Sequence, residues 1–585
     1  MWVIATAGHV DHGKSTLVRA LTGMEPDRWA EERRRGMTID LGFAWTALES
    51  GRQVAFVDVP GHERFVTNML AGAGPCPAVM FVVAADEGWR AQSAEHLAAL
   101  HALGVRHGLL VVTHADLADP GPAQEEARLH LEGTTLSEID AVAVSGLTGQ
   151  GLPELSAALD RLAAELPEPR RDGPVRLWID RVFTITGAGT VVTGTLTHGT
   201  VRVGDELLAG PDRVQVRGLQ TLNRRREAVP ATARVAINVR GADRDTLSRG
   251  TALLTPDAWL TTESADVRLE AGGDLSGDLR GDLLFHLGSA AVPARLRPLG
   301  VDTARLTLAR PMPLRAGDRG LLRDPGRRMI VAGVRVLDVR PAPLRRRGAA
   351  AARGAALAGV TVPTAADLLR WHGLLSRAEL TAMGAEPAGR PVAGDWFADP
   401  GHWSELRRNL AEQVAHRDQG ITVDAAARLL GLPDRRLARA LVAEPLTIRA
   451  GVILSGDHAS MPPQVEKAVA RLRAELAGRP FDAPTAERLA ELQLTGARLA
   501  AAVRAAALLP VARNVVLLPE APELAVDVLS ELPAPFTVSQ ARTALGTSRR
   551  VALPLLEYLD AQGRTRRVDN ASRICVSPSA DDGTR

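Results

Sequence analysis

The sequence predicts three kinds of structure in series: an α/β domain, an all-β middle section and a helix-rich C-terminal third. Over residues 1–170, short apolar runs alternate with amphipathic stretches, which indicates a parallel sheet covered by helices on both faces. From about 172 to 340, strand patterns separated by Gly and Asp turns, as in "GTVVTGTLTHGTVRVGDELL", indicate two small β-barrels. Helical patterns dominate after that, and 585 residues are enough for several domains.

The composition excludes several classes of protein. The two cysteines, Cys76 and Cys575, lie far apart and form neither a disulfide framework nor a cysteine-rich zinc site. The N-terminal residues lack the basic start of a signal peptide, and the longest apolar run, Ala78 to Ala85, is too short to cross a bilayer. Nine Trp, nine Phe and one Tyr are too few for a broad surface that stacks single-stranded bases. We therefore expect a cytoplasmic monomer with no membrane partner.

A phosphate-binding loop follows the first predicted strand. "GHVDHGKS" matches the P-loop pattern and stands between a strand and a helix, as that loop must. Its glycines allow backbone N–H groups to point at phosphate oxygens, while a lysine reaches the β and γ phosphates and a serine binds Mg²⁺. Of the 70 basic residues, 68 are Arg, and one of the two lysines occupies this position. The predicted nucleotide contacts here are Asp11, His12, Gly13, Lys14, Ser15 and Thr16.

Three more nucleotide-site residues follow in the expected order. "VAFVDVPGHE" places Asp58 at the end of an apolar strand, where it can hold Mg²⁺ through water. Gly61 can turn its N–H to a γ-phosphate, and Thr38 in "RRRGMTID" can close over the metal. The predicted Mg²⁺ site therefore consists of Ser15, Thr38 and Asp58, beside the phosphates of a bound nucleotide.

The strings "GHVDHGKS", "RGMTID" and "DVPGHERF" resemble those of the translational GTPases of the elongation factor Tu class. The resemblance covers the first 340 residues and implies a GTPase that is slow alone and fast on the ribosome. It assigns His62 the catalytic role of orienting the attacking water. It also assigns Val10 and Ile39 to an apolar gate around that histidine.

One string departs from the family pattern. Guanine is normally read by Asn-Lys-x-Asp, and here the string is "THAD". Asp116 keeps the carboxylate that can accept two guanine N–H groups, while Thr113 replaces Asn and His114 replaces Lys. "AVSGLTGQGL" supplies Ser145 for a base-contacting loop, although a helix cap would explain that serine equally well. GTP remains the expected nucleotide, but the sequence does not predict how tightly it binds.

The first β-barrel resembles that of the selenocysteine-specific elongation factors, through "LWIDRVFTITGAGTVVTGTLTHGTVRVGDEL". The resemblance implies an amino-acid pocket formed by Asp180, Arg181 and Arg234. Two guanidinium groups fixed by a carboxylate favour an ionised selenol over the neutral hydroxyl of serine. The residues alone would also allow an ordinary surface ion pair.

The C-terminal third carries a repeat in which helices precede a strand–turn–strand. The strings are "PVAGDWFA", "LTIRAGVILS", "LPVARNVVLL" and "RTRRVDNASRICV", the last three about 60 residues apart. Four tandem winged-helix modules fit this repeat, and a generic helical array stays open. The predicted domains are 1–171, the GTPase domain; 172–257 and 258–342, the barrels; 343–400, a linker and first winged helix; and 401–459, 460–520 and 521–585, the other winged helices.

The last predicted module is basic. Residues 536–575 hold seven Arg and three acidic residues, and the end of the chain resembles the winged helix with which bacterial selenocysteine factors bind an mRNA stem-loop. Basic side chains at a helix start and in the wing suit RNA backbone contacts, although a solvated basic face is the alternative. The RNA-binding residues expected here are Arg542, Ser548, Arg549, Arg550, Arg566 and Arg567.

Together these patterns predict a GTP-dependent carrier of selenocysteyl-tRNA that acts on the ribosome while tethered to an mRNA stem-loop. Two alternatives remain. One is a general or initiation-type tRNA carrier with an unrelated C-terminal extension. The other is a GTP-gated regulator whose winged helices bind duplex DNA.

Overall fold

The computed structural model of the protein describes residues 1–26, 38, 40–62, 65–187, 189–242, 246–270, 282–417, 420–449, 451–455, 461–569 and 572–576. These residues form two compact units. The N-terminal unit comprises residues 1–371 and 378–388, and the C-terminal unit comprises residues 372–377 and 389–585. The first predicted winged-helix module is thus divided between them.

The N-terminal domain is built on a six-stranded sheet with the order β2-β3-β1-β4-β5-β6. Every residue of β4 is buried, because helices cover both faces of the sheet and leave no polar face. One helical layer packs on a core around Phe81, and the other on a core around Phe56. The strands are β1 (Trp2–Gly8), β2 (Gly42–Ala47), β3 (Gln53–Asp58), β4 (Ala78–Ala84), β5 (His107–Thr113) and β6 (Asp140–Ala143). The helices are α1 (Lys14–Thr22), α2 (Val66–Ala73), α3 (Ala91–Leu103), α4 (Pro120–Leu131) and α5 (Leu152–Glu165).

The sheet differs from the predicted one at its edge. The apolar runs identified in the sequence correspond to β1 and β3–β6, which are parallel, whereas β2 had no counterpart among them. Strand β2 runs antiparallel to β3, with Gly42 opposite Asp58. An antiparallel edge strand needs only a short turn to its neighbour, so no crossover helix marks it in the sequence.

The first all-β section has the strand order β7-β16-β11-β12-β15-β9-β8, with β13 beside β12 and a separate β10-β14 pair. Alternate residues of β15 are buried in one core around Ile237, as expected for a sheet with a single apolar face. The strands are β7 (Arg176–Trp178), β8 (Arg181–Ile185), β9 (Gly189–Leu196), β10 (Thr200–Arg202), β11 (Glu206–Ala209), β12 (Asp212–Thr221), β13 (Arg224–Arg226), β14 (Ala228–Pro230), β15 (Ala233–Arg240) and β16 (Ala252–Leu254).

The second all-β section is a closed six-stranded barrel in the order β17-β20-β19-β18-β21-β22. The "RPAPLRRRGAAAARGA" segment that the sequence marks as a linker contains an ordered helix, α6 (Ala349–Leu357). Its Arg353 donates from Nε to Oδ2 of the fully buried Asp266 at 2.7 Å, which binds α6 to the barrel. The strands are β17 (Leu260–Glu270), β18 (Leu283–Leu287), β19 (Ala290–Pro298), β20 (Thr303–Leu314), β21 (Arg319–Asp324) and β22 (Met329–Asp338).

Two segments of the C-terminal unit share one element order, helix–strand–helix–helix–strand–strand, which is the winged-helix order. Their three-stranded sheets are ordered β25-β27-β26 and β30-β32-β31. The first consists of α9 (Pro400–Ala415), β25 (Ile421–Thr422), α10 (Val423–Leu429), α11 (Arg435–Leu441), β26 (Leu446–Arg449) and β27 (Val452–Ser455). The second consists of α15 (Ala521–Ser530), β30 (Phe536–Thr537), α16 (Val538–Ala544), α17 (Arg549–Ala561), β31 (Thr565–Arg567) and β32 (Ser572–Cys575).

The other two predicted modules are simpler. One has three helices and a two-stranded sheet, namely α12 (Pro463–Leu476), α13 (Ala486–Glu491), α14 (Gly496–Arg504), β28 (Leu509–Ala512) and β29 (Val515–Leu517). The other lies around α7 (Ala365–His372), β23 (Leu374–Ser376), α8 (Arg377–Ala382) and β24 (Trp396–Ala398). There "PVAGDWFA" forms a turn closed by one isolated bridge between Ala393 and Trp396, and its strand β24 pairs with β23. Among the helices in the described ranges, none is long and apolar enough to span a membrane.

Candidate functional site

The P-loop lies at the carboxyl end of β1, the central strand, and leads directly into α1. Asp11 and Gly13 have left-handed backbone conformations, with φ of 62° and 77°. These turns allow successive N–H groups of the loop to face one concavity, an arrangement that binds phosphate oxygens. Gly13 is the N-cap residue of α1, so the positive end of the helix dipole lies at the same place.

Lys14 is buried at the base of this loop. Its Nζ donates to the carbonyl oxygen of Gly8 at 3.2 Å and to that of His9. Burial lowers the pKa of Lys14 to about 8, an effect that the nearby carboxylates of Asp58 and Asp11 oppose. A buried ammonium held by carbonyl groups needs an anionic partner, and phosphate oxygens fit that requirement. The loop is therefore chemically suited to a nucleotide phosphate chain.

Helix α3 supports the P-loop from behind, through two residues that the sequence analysis missed. The Gly8 N–H donates to His96 Nδ1 at 3.0 Å, and the Val10 N–H donates to Gln92 Oε1 at 3.2 Å. Burial lowers the pKa of His96 to about 3, so its imidazole is neutral and can accept. The spacing of four residues on one helix was a usable signal, but no local motif linked it to the P-loop.

Three oxygen-bearing side chains meet beside the P-loop. Ser15 Oγ lies 2.6 Å from Asp58 Oδ2 and 2.9 Å from Thr38 Oγ1. Asp58 is fully buried, and its other oxygen accepts from Thr6 Oγ1 at 2.8 Å. Hydroxyl and carboxylate oxygens are the ligands that Mg²⁺ prefers, with water completing the shell. The three residues predicted for the metal thus lie together and are chemically suited to it.

Gly61 lies directly against the P-loop. A Cβ at this position would be 2.6 Å from the Val10 nitrogen and 2.7 Å from Lys14 Nζ, so only glycine fits. The next residue, His62, is half-buried, with its ring centroid 6.0 Å from that of Phe65. Of the residues predicted for the apolar gate, Val10 is half-buried, and Ile39 lies outside the described residues.

The predicted base-binding residues follow β5 and β6. Thr113 Oγ1 donates to the carbonyl oxygen of His12 in the P-loop at 2.8 Å. His114 has φ 56°, and its Nδ1 is 2.7 Å from Asp86 Oδ1, while its ring packs beside Gly13. The imidazole therefore joins the P-loop to the end of β4. Asp86 is a third residue that the sequence did not predict, since it is distant from "THAD" in the chain.

The other two predicted base contacts differ in exposure. Asp116 is exposed, so its carboxylate is available to a ligand. Ser145 is fully buried, and its Oγ accepts from the backbone N–H groups of Leu147 and Thr148 at 3.3 and 3.1 Å. Thr16, in the first turn of α1, lies beside the same loop at Gly146. Ser145 thus shapes the loop with its side chain, and it is not a helix cap, since the helix that follows is capped at Gly151.

The predicted amino-acid pocket forms around a carboxylate in the first β-section. Arg234 contacts both oxygens of Asp180, with Nη2 to Oδ1 at 2.7 Å, and donates to Thr193 Oγ1 at 3.0 Å. Its guanidinium lies 3.8 Å from the ring centroid of Phe43. Arg234 and Arg181 line the same cavity of about 150 Å³. Asp180, which is 7% exposed, lies behind them and fixes Arg234.

Arg181 is held by other residues. Its Nη2 donates to Asp40 Oδ2 at 2.7 Å and to the carbonyl oxygen of Leu41 at 2.9 Å. Asp40 is two residues after Thr38 and was not among the predicted site residues. Arg249, also missed, lies within the field of Asp40 and Asp180, and its Nη1 donates to Asn68 Oδ1 on α2 at 2.7 Å. Burial lowers the pKa of Arg249.

The predicted RNA-binding residues are all exposed in the last module, and they fall into two groups. Arg549 opens α17 after Ser548, whose hydroxyl makes no capping bond, and Arg566 lies in the wing strand β31. These two and Arg542 have no ion pair within the described part of the chain. Arg550 instead donates to the carbonyl oxygens of Asn514 and Ala483 at 3.1 and 3.2 Å.

Arg567 is partly neutralised. It lies 3.5 Å from Glu557 and from Asp560, and Asp560 also accepts from the buried Arg573 at 2.9 Å. Of the six predicted RNA-binding residues, Arg542, Arg549 and Arg566, with the Ser548 hydroxyl, are therefore the most available to an anion.

Family models match three parts of the chain. The elongation factor Tu GTP-binding domain matches residues 1–165. The β-barrel domain of selenocysteine-specific elongation factor matches residues 277–343, and the winged helix of elongation factor SelB matches residues 527–574. The α/β, barrel and C-terminal winged-helix predictions are thereby confirmed.

Curated relatives agree with these matches. The selenocysteine-specific elongation factors of Desulfomicrobium baculatum and Escherichia coli are 38% identical over 360 and 347 residues, or 59% and 58% of this chain. The chain spans 56% of the length of each. Elongation factor Tu 2 of Streptomyces avermitilis is 32% identical over 370 residues, which are 55% of this chain and 93% of that protein.

Solved structures extend the likeness to the C-terminal unit. The crystal structure of a bacterial selenocysteine-specific elongation factor EF-Sec superposes with a TM-score of 0.70 and 25% sequence identity. The superposition covers 98% of this chain and 100% of that one. The SelB of Methanococcus maripaludis with the GTP analogue GppNHp has a TM-score of 0.52 and 25% identity, over 58% of this chain and 79% of its own.

Proposed function

Because the chain belongs to the elongation factor Tu family of translational GTPases, we propose that it delivers selenocysteyl-tRNA to the ribosome in a GTP-dependent manner. The observation that carries this proposal is the cavity lined by Arg181 and Arg234, with the second guanidinium fixed by Asp180. A selenol is more acidic than a thiol and is ionised at neutral pH, whereas the hydroxyl of serine is not. Charge-assisted hydrogen bonds from two arginines would therefore distinguish the two aminoacyl groups.

The nucleotide site would switch this carrier. We assign the phosphate contacts to the P-loop amides and Lys14, and the metal contacts to Ser15, Thr38 and, through water, Asp58. Bound Mg²⁺ would neutralise charge on the β and γ phosphates. Thr38 and Gly61 lie where a γ-phosphate would draw both against the P-loop, so GTP and GDP would leave them in different positions.

The hydrolytic step depends on His62 in this scheme. We assign His62 the positioning of the attacking water, a role that requires the ribosome to bring the half-buried ring into place. The base would be read by Asp116, with His114 covering it from its anchor on Asp86. Hydrolysis would then release Thr38 and Gly61 and, with them, the tRNA.

The C-terminal winged helix would tether the carrier to the selenoprotein mRNA. Arg542, Arg549 and Arg566 are exposed, and Arg549 lies at the positive end of the α17 dipole. Their contacts would go to phosphates and to unpaired bases of a stem-loop, because the deep groove of A-form RNA hides its base edges. Tethering raises the effective concentration of the carrier at the recoded UGA codon. In this scheme the protein acts as a monomer in the cytoplasm.

The deciding experiment is a competition between selenocysteyl-tRNA and seryl-tRNA for the protein bound to a non-hydrolysable GTP analogue. We expect selenocysteyl-tRNA to bind at least tenfold more tightly, a difference on the order of one charge-assisted hydrogen bond. Equal binding of the two would favour the general or initiation-type carrier. Tight binding of duplex DNA without ribosome-stimulated hydrolysis would favour the GTP-gated regulator.

A further inference from the structure

The two arginines of the aminoacyl cavity are held by different parts of the N-terminal unit. Arg234 is fixed by Asp180 and Thr193, which belong to the same β-section as itself. Arg181 is fixed by Asp40 and by the Leu41 carbonyl oxygen, which belong to the α/β domain. The position of Arg234 therefore depends only on contacts within its own β-section, whereas the position of Arg181 depends on the segment just before β2.

That segment is also attached to the candidate metal site. Thr38 Oγ1 lies 2.9 Å from Ser15 Oγ, and Asp40 is only two residues further along the chain. Two residues span at most about 7 Å, so Asp40 cannot stay in place if Thr38 moves far from Ser15. A movement of Thr38 larger than this tether allows would therefore pull Asp40 away from Arg181.

The charges around the cavity favour a single anion. Arg181, Arg234 and Arg249 supply three positive charges, and Asp40 and Asp180 supply two negative ones. The half-buried cluster keeps a formal charge of +1, which one anionic side chain would neutralise and a neutral hydroxyl would not. Asp40 orients Arg181 through Nη2, the nitrogen that also donates to the Leu41 carbonyl oxygen.

We propose that Asp40 is a positioning residue that places Arg181 in the aminoacyl cavity only while Thr38 is at the metal site, so that discrimination against serine exists only in the GTP state. This inference rests on the proposed function, since it concerns the regulation of the same cavity. The segment from Thr38 to Asp40 would then link the nucleotide site directly to the selection of the amino acid.

The test measures the affinities of selenocysteyl-tRNA and seryl-tRNA for the full chain, with a non-hydrolysable GTP analogue and with GDP. The variants are Asp40→Ala, Asp40→Asn, Arg181→Ala and the double variant Asp40→Ala/Arg181→Ala. Asp160→Asn is the matched control, because Asp160 also pairs with an arginine, Arg52 at 3.1 Å, in the same domain.

With the GTP analogue, we expect Asp40→Ala to weaken selenocysteyl-tRNA binding about tenfold and to leave seryl-tRNA binding unchanged. Asp40→Asn keeps a hydrogen-bond acceptor for Arg181, so its affinity for selenocysteyl-tRNA should fall less than that of Asp40→Ala. The double variant should bind selenocysteyl-tRNA as tightly as Arg181→Ala does, because Asp40 acts through Arg181. With GDP, the unaltered protein and every variant should bind the two tRNAs with equal affinity. With the GTP analogue, Asp160→Asn should keep the ratio of affinities of the unaltered protein.

Four results would overturn the inference: an unchanged preference in Asp40→Ala, an equal loss for both tRNAs, a loss in the double variant that is the sum of the single losses, or a preference for selenocysteyl-tRNA that the unaltered protein keeps with GDP. Each of these leaves the proposed function standing if the unaltered protein prefers selenocysteyl-tRNA. If the unaltered protein shows no preference, the proposed function and this inference both fail.

Discussion

Thr6 and Asp58 are joined by a buried hydrogen bond of 2.8 Å between neighbouring parallel strands, from the threonine hydroxyl to the carboxylate Oδ1. The same hydroxyl accepts the Val59 N–H at 3.1 Å. Thr6 thus fixes the carboxylate whose other oxygen is 2.6 Å from Ser15 Oγ. The candidate metal site is therefore held in place by Thr6, a residue inside the sheet that is not itself a candidate ligand.

The first prediction follows from this support. Thr6→Val keeps the volume of the side chain and removes its hydrogen bonds, so Asp58 loses a restraint and the Val59 N–H loses its acceptor. We expect Mg²⁺-dependent GTP binding to weaken about tenfold, as is usual for residues that orient a metal ligand. Thr22→Val, at the far end of α1, is the control. A loss of nucleotide affinity that is the same with and without Mg²⁺ would contradict this role.

Gly61 allows a test of the GTP state alone. Gly61→Ala places a methyl group 2.6 Å from the Val10 nitrogen, so the segment must withdraw from the P-loop. We expect affinity for a GTP analogue to fall at least tenfold, while GDP affinity stays within about twofold. Gly173→Ala, where a Cβ would meet nothing within 4 Å, is the control. Equal losses for both nucleotides would show that Gly61 does not sense the γ-phosphate.

His62 is the predicted positioner of water. His62→Ala should retain GTP binding and lose ribosome-stimulated hydrolysis by about 10²- to 10⁴-fold, the range for a group that handles the proton or the attacking water. The measurement is phosphate release with and without ribosomes. Unchanged stimulation would remove His62 from the mechanism.

Buried neutral imidazoles predict a pH dependence of stability. The pKa of His96 falls from 6.5 to about 3 in the folded chain, because burial disfavours the charged form. The unfolded chain therefore binds more protons between these values, and the stabilisation present above pH 6.5 is lost as pH falls towards 3. At pH 5.5 the loss is on the order of 1 kcal/mol for one such group. His286, with a pKa lowered to about 4, acts in the same direction.

Calorimetric melting at pH 7.5 and 5.5 checks this sign. The unaltered chain should melt at a lower temperature at pH 5.5, and both His96→Gln and His286→Gln should reduce the difference. Only His96→Gln should also weaken GTP binding, because His96 accepts the Gly8 N–H of the P-loop. A chain that is more stable at pH 5.5 than at pH 7.5 would refute the prediction.

Adjacent arginines at the start of α17 should behave differently. Arg549→Ala should weaken binding of a selenoprotein mRNA stem-loop and lower the slope of affinity against salt by about one, without changing the melting temperature. Arg550→Ala should lower stability by about 1 kcal/mol, because its guanidinium binds the carbonyl groups of Asn514 and Ala483. Filter binding and melting of both variants decide the matter. Identical behaviour of the two would contradict the separation of roles.

The sequence indicates those parts of the protein whose signal is local. The P-loop, Asp58 and Gly61 stand in contiguous strings, and the winged-helix strands recur at a fixed interval. The antiparallel strand Gly42–Ala47 and helix Ala349–Leu357 escaped detection, because a short edge strand and an Ala-rich linker carry little pattern of their own. The repeat also predicted a strand–turn–strand in "PVAGDWFA", where one isolated bridge joins Ala393 and Trp396 and the strand Trp396–Ala398 pairs with Leu374–Ser376.

Contacts between distant segments could not be read in the same way. Arg181 and Asp40 are 141 residues apart, and His96 is 88 residues from Gly8. The difference between Arg549 and Arg550 depends on which guanidinium faces the preceding module, and the sequence treats the two as equivalent. Such pairings are fixed by the packing of whole domains, so one sequence alone does not specify them.

The most direct test of the proposed carrier is a reconstituted translation reaction with bacterial ribosomes and a message that has an in-frame UGA codon followed by a selenoprotein stem-loop. Read-through should require this protein, selenocysteyl-tRNA and GTP together, and should fall at least tenfold when the stem-loop is deleted. Read-through of the same yield without the stem-loop, or with seryl-tRNA in place of selenocysteyl-tRNA, would contradict the account.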